Sequence, residues 1–139
     1  MNPYFLAPLV VFCLTAFSAQ AQCLKYESAT TELVGTIFSK VFAGPPNYES
    51  IKAGDQKETA TMLKLKTPIC TTADGDPNSF NVSETRVRET QLVITEPRFW
   101  KTIRNNRSRS FRVKGSLFHS HTGHHRTRVL LLVSDLKPL

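Results

Sequence analysis

Thr95-Glu96-Pro97 is the helix start in a chain whose other patterned segments alternate like strands, and its position fixes the order of elements. Thr95 reads as an N-cap, Glu96 favours the positive end of a helix, and Pro97 is tolerated in the first turn. Phe99 and Ile103 then share a face that can plug a barrel end, Arg98, Lys101 and Arg104 lie outside, and Asn105-Asn106 ends the helix. Trp100 beside Phe99 reads as packing between helix and barrel.

Three strands precede this helix, at about 31–42, 59–69 and 86–95, and two follow, at about 110–121 and 127–134. Leu63, Leu65 and Ile69 alternate with Lys64 and Lys66, and Phe111, Val113 and Leu117 with Arg112 and Lys114. The last strand carries apolar residues at successive positions, which predicts burial on both faces. Three strands, a helix and two strands is the order of the OB-fold. The expectation is therefore a mostly β chain, a small five-stranded OB-like barrel with one short helix between strands 3 and 4. Gly35 and Gly115 fall inside strands, where barrel curvature often requires a residue without a Cβ. A generic α+β sheet with one covering helix is the competing architecture.

Residues 1–21 read as a removable signal peptide: an apolar run from Phe5 to Phe17 closes on Ala19-Gln20-Ala21, with small side chains where signal peptidase needs them. The run is short of the roughly 20 residues that an uncleaved membrane anchor needs. Gln22, immediately before Cys23, argues against lipidation. The remainder, 22–139, is expected to be a single OB-like domain exported to the periplasm or the extracellular space, with no stable membrane anchor. Cleavage removes Cys13 and leaves Cys23 and Cys70, an even count that predicts a disulfide in an oxidising compartment.

Three stretches, Gly44-Pro45-Pro46-Asn47-Tyr48-Glu49-Ser50-Ile51 with Gly54-Asp55, Pro68-Ile69-Cys70, and Gly115 followed by Leu117-Phe118-His119-Ser120-His121-Thr122-Gly123-His124-His125, together resemble a family of short exported bacterial proteins that carry a domain of unknown function. The resemblance implies a bacterial, periplasmic protein and brings no activity with it. Arg126 stands where that pattern leads one to expect a third consecutive histidine.

All four histidines lie between His119 and His125. On a strand, His119 and His121 share a face, and His124 or His125 can reach back across the Thr122-Gly123 turn. Neutral imidazoles so placed are candidate ligands for zinc or copper. No carboxylate stands beside them in sequence to serve as a base. Contact with a partner and ordinary hydrogen bonding at a hairpin tip are the other readings. Protonation of four imidazoles beside Arg126 and Arg128 is expected to loosen the hairpin or strengthen anion binding in acid.

Net charge is uneven. Residues 22–95 carry eight basic against nine acidic side chains, whereas 96–139 carry ten basic against Glu96 and Asp135. Such a surplus suits an anionic partner or is a solvated basic face. The candidate ligand-binding residues are Arg98, Lys101, Arg104, Arg107, Arg109, Arg112 and Arg126. Export argues against nucleic acid. Catalytic signatures are thin: there is no Gly-x-Ser-x-Gly and no phosphate-cradling glycine loop, and Asp74 and Asp76 read as turn formers. A metal-dependent hydrolase would have to borrow Glu49 or Asp55 as its base. The sequence thus points to a non-enzymatic exported binding module for a protein or an anionic envelope component. The alternative is a histidine-cluster transition-metal binder.

Overall fold

The computed structural model describes residues 23–28 and 31–139; residues 1–21, expected to be a signal peptide, lie outside the described residues. The strands are β1 (Leu24–Lys25), β2 (Thr31–Ala43), β3 (Lys57–Thr72), β4 (Glu84–Val93), β5 (Ser110–His119) and β6 (Val129–Pro138), and the helix α1 (Pro97–Asn105) lies between β4 and β5. β2, β3, β4, β6 and β5 close on themselves as a five-stranded barrel. Every pairing in the barrel is antiparallel except β4 with β6. This is the OB topology that the element order predicts, with the helix between the third and fourth barrel strands. The two-residue β1, which the sequence did not suggest, runs parallel to the end of β3.

The barrel interior is filled by alternate residues of every strand. Leu33, Leu63, Leu65, Leu92, Phe111, Val113, Leu117, Val129, Leu131, Val133 and Leu136 form one buried cluster with Tyr26 and with Phe99 of the helix. Burying one such side chain is worth about 1.5–3 kcal/mol, so this cluster is the main favourable term in the fold. Ile103 packs against the same cluster, so the helix plugs one barrel end through the two residues four apart in sequence. Its N-cap is Glu96 rather than Thr95, with no side-chain capping bond; Pro97 needs no amide partner in the first turn.

Gly35 and Gly115 are required by close approach. A Cβ at Gly35 would overlap the carbonyl oxygen of Lys64, and one at Gly115 that of Leu132. β6 is buried on both faces only at its start. Leu130 is fully buried, but Leu132, two residues along the outer face, is 43% exposed. Cys23 and Cys70 form a disulfide, with Cα atoms 4.7 Å apart, that ties the chain beside β1 to β3.

Candidate binding site

OB barrels bind ligands on the face of their second and third strands, between the loops that flank it. Here that face is the outer side of β3 and β4, and the chain covers part of it with its own histidine loop, residues 120–128. Gln91, between the buried Thr90 and Leu92, points outward. Its Oε1 accepts from the Arg126 amide at 2.6 Å, its Nε2 donates to the His124 carbonyl at 3.3 Å, and its amide donates to Thr127 Oγ1 at 2.9 Å. Ala60 and Met62 on β3 and Leu130 on β6 are buried although strand alternation puts them outside the barrel and the core cluster excludes them.

The histidine loop meets the loop between β2 and β3. That second loop is organised by Asp55, whose carboxylate accepts from the Asn47, Glu49 and Ser50 amides at 3.0, 2.8 and 2.9 Å. These bonds hold the Asp55 carboxyl below its ordinary pKa and leave it unsuited to act as a general base. Tyr48 lies against Gly123, where an added Cβ would meet its ring at 3.1 Å. Its hydroxyl lies 3.2 Å from His124 Nε2.

Two carboxylates brought from distant strands hold the histidines. His124 Nδ1 lies 2.9 Å from Glu58 Oε1, while Arg126 Nη2 lies 2.8 Å from Glu58 Oε2. Burial raises the Glu58 carboxyl, but the bond from His124 and the charge of Arg126 outweigh it and hold the pKa below its ordinary value. His119 Nε2 lies 3.0 Å from Glu84 Oε1, and Arg128 Nη1 3.2 Å from Glu84 Oε2. The bond from His119 and, less strongly, Arg128 lower the Glu84 pKa against burial. The four histidines expected to gather round zinc or copper are therefore divided. Only His121 and His125 remain side by side, ring centroids 4.6 Å apart, with His121 stacked on Phe80. His125 Nδ1 accepts from the His121 amide at 3.0 Å. Among the described residues, no three His, Cys, Asp or Glu side chains converge as a metal site.

The expected ligand-binding arginines separate as well. Arg126 is not a surface residue: its side chain is 8% exposed, paired with Glu58, and its guanidinium lies 5.2 Å and 5.4 Å from the Phe42 and Tyr48 ring centroids. A small exposed fraction and two aromatic neighbours make it a post between the loops. Arg112 is held by Glu32 at 2.9 Å, and Arg98 approaches Glu96 at 3.9 Å and lies over Phe99. Lys101 is exposed on the helix. Asp74 accepts from the Ser79 hydroxyl, the Asn81 side-chain amide and the Asp76 amide, which is turn chemistry as expected.

What remains is a cationic region flanking β2. One cavity of about 730 Å³ is lined by Val34, Gly35, Thr36, Lys64, Lys66 and Arg109, among others. A second, of about 460 Å³ at the barrel end, is lined by Ile37, Phe38, Ser39, Trp100, Arg104 and Arg107, among others. The two use consecutive residues of β2 and successive cations of 104–109. Among the described residues, Lys64, Lys66, Arg104 and Arg107 have no carboxylate within ion-pairing distance, whereas Arg109 Nε donates to the main-chain oxygen of Leu139 at 2.7 Å. Lys64 and Lys66 were absent from the sequence-based set because their segment is charge-balanced overall. Their alternation with Leu63 and Leu65 was the signal that could have found them.

Residues 89–137 match the model of a domain of unknown function, DUF4431. The matched span runs from the middle of β4 to the end of β6 and includes the histidine stretch; the Gly44 to Asp55 and Pro68 to Cys70 stretches lie outside it. No curated protein and no solved structure matches the chain.

Proposed function

We propose that this protein is an exported, non-enzymatic binding module for an anionic partner, a protein or an envelope component. The observation that carries this reading is the set Lys64, Lys66, Arg104 and Arg107, four cations that make no ion pair among the described residues and line two cavities meeting on β2. Cations without an ion-pair partner over a concave surface attract anions more strongly than paired ones. Although Lys64 faces Glu89 across the β3–β4 register, the two are not within ion-pairing distance. Part of the face an OB barrel normally offers is covered by the 120–128 loop that Gln91 holds down, which leaves Lys64 and Lys66, on the outer side of β3 next to β2, as the available surface. The Cys23–Cys70 disulfide supports export, and with export comes a preference for envelope partners over nucleic acid.

Heparin, used as a generic polyanion and titrated at rising salt, tests the site. Binding should weaken steeply with salt. The double variants Lys64→Glu/Lys66→Glu and Arg104→Glu/Arg107→Glu should each lose about tenfold or more in affinity. Arg112→Ala should bind like the parent, since Glu32 already neutralises that guanidinium. Unchanged affinity in both charge-reversed variants overturns the assignment of the site.

The alternative, a zinc or copper binder, draws on His121 and His125 alone, because His119 and His124 are engaged by carboxylates. A metal-dependent hydrolase needs three protein ligands and a base. Calorimetric titration of chelator-treated protein with zinc and copper should give no heat at micromolar concentration; a saturable site would favour the metal reading.

A further inference from the structure

We infer that the exposed edge of β2 beyond Thr36 is a docking site for an extended acidic segment of a partner protein, which pairs with it as an added strand. The inference rests on the anionic-partner reading and specifies the kind of partner. β2 pairs with β5 from Thr31 to Thr36, where β5 begins at Ser110. β2 then continues from Ile37 to Ala43, paired with Met62 and its neighbours on β3 alone. No main-chain hydrogen bond from the rest of the described chain reaches the other edge of residues 37–43. A strand edge of this kind presents a row of unpaired N–H and C=O groups, the template used in strand addition.

The surroundings select the occupant. Ile37 and Ser39 lie beside the edge and line the barrel-end cavity with Trp100, Arg104 and Arg107. Successive side chains of an added strand point to opposite faces, so alternate residues enter this cavity. Its lining combines a half-exposed indole with two guanidinium groups that have no ion-pair partner among the described residues, which suits acidic side chains interspersed with small or apolar ones. Lys40, on the same free stretch, adds a further cation and disfavours self-association of two such edges by like charge. Polyanions without a peptide backbone can use the cations but not the edge.

The test uses a peptide of alternating Glu and Thr long enough to span residues 37–43, the same peptide N-methylated at alternate amides, and heparin, each titrated against the full mature chain. The acidic peptide should bind, slow amide exchange within residues 37–43, and lose about tenfold or more in affinity on N-methylation. Arg104→Glu/Arg107→Glu should weaken it comparably. Equal binding of the methylated and unmethylated peptides, or protection located elsewhere, overturns strand addition while leaving the anionic reading intact. Heparin binding with no peptide binding does the same. Failure of both peptide and heparin to bind overturns both readings. Because the decisive change is made in the peptide, the result does not depend on a β2 variant that folds.

Discussion

Glu58 on β3 and His124 in the β5–β6 loop lie 66 residues apart in sequence, yet the carboxylate meets the imidazole Nδ1 at 2.9 Å. The imidazole also lies 3.0 Å from Oε2, the oxygen that Arg126 Nη2 approaches at 2.8 Å. One acidic side chain of β3 therefore helps to fasten a loop that contains no carboxylate of its own. Tyr48 and Phe42 flank the fastened guanidinium.

Arg126→Ala should destabilise the fold by about 1–3 kcal/mol, less than a fully buried pair because Glu58 is partly exposed to solvent. Heparin affinity should stay within about twofold, in contrast to the Lys64→Glu/Lys66→Glu variant, which should bind poorly and lose about 1 kcal/mol or less of stability from the like charge set opposite Glu89. Denaturant midpoints measured alongside the affinities check both halves. Loss of binding in Arg126→Ala at full stability would return that residue to the ligand surface.

Cys23→Ala/Cys70→Ala should cost about 4 kcal/mol on the loop-entropy estimate for a bridge spanning 47 residues of sequence. Unfolding of the variant against the parent gives the value. Alkylation and mass spectrometry of the native protein should find neither Cys23 nor Cys70 free.

Acid should weaken the histidine loop in two stages. His125 is held below its ordinary pKa by burial and by the neighbouring His121 and His124. The unfolded chain therefore binds its proton first, and stability falls as pH drops through the ordinary histidine range towards the lower folded value. Protonation also removes the Nδ1 acceptor of the bond from the His121 amide. Glu58 and Glu84 are depressed carboxylates, so their contribution is full above the ordinary glutamate range and is lost as pH falls through their folded values. Between the stages these carboxylates stay charged beside His119 and His124, so the two bonded pairs persist. Amide exchange across residues 120–128 followed with pH should show an early step near His125 and a later one near Glu58 and Glu84. A single step confined to strongly acid pH would remove the role assigned to His125.

Gly115→Ala should destabilise by about 2 kcal/mol or more, because the new methyl meets a backbone carbonyl of β6 that cannot move without breaking its register. Gly75→Ala serves as the control: the space there is open, but its positive φ adds the smaller strain of a left-handed alanine. Thermal unfolding of the two variants should rank them in that order.

Local patterns carried the barrel. Leu63 and Leu65 alternating with Lys64 and Lys66, the spacing of Phe99 and Ile103, and the glycines at 35 and 115 each report on immediate neighbours, and such periodicities survive into the folded chain. The site was less legible. Arg126 looks like its basic neighbours in sequence, and nothing local says that Glu58, Phe42 and Tyr48 will surround it. Lys64 and Lys66 were visible as outward residues, but not as companions of Arg104 and Arg107.

The sequence alone determined the order of the five barrel strands and the helix, the inward residues of β3 and β5, and the pair of cysteines that bridge. These follow from side-chain alternation, turn chemistry and counting. Tertiary structure decided which charges are cancelled and which stay free. Glu58 and Glu84 come from β3 and β4 to claim His124, Arg126, His119 and Arg128, while Lys64, Lys66, Arg104 and Arg107 lie beyond ion-pairing distance of any carboxylate among the described residues. The reason is range: periodicity is a property of adjacent residues, whereas an ion pair depends on a few ångströms between strands that only barrel closure brings together.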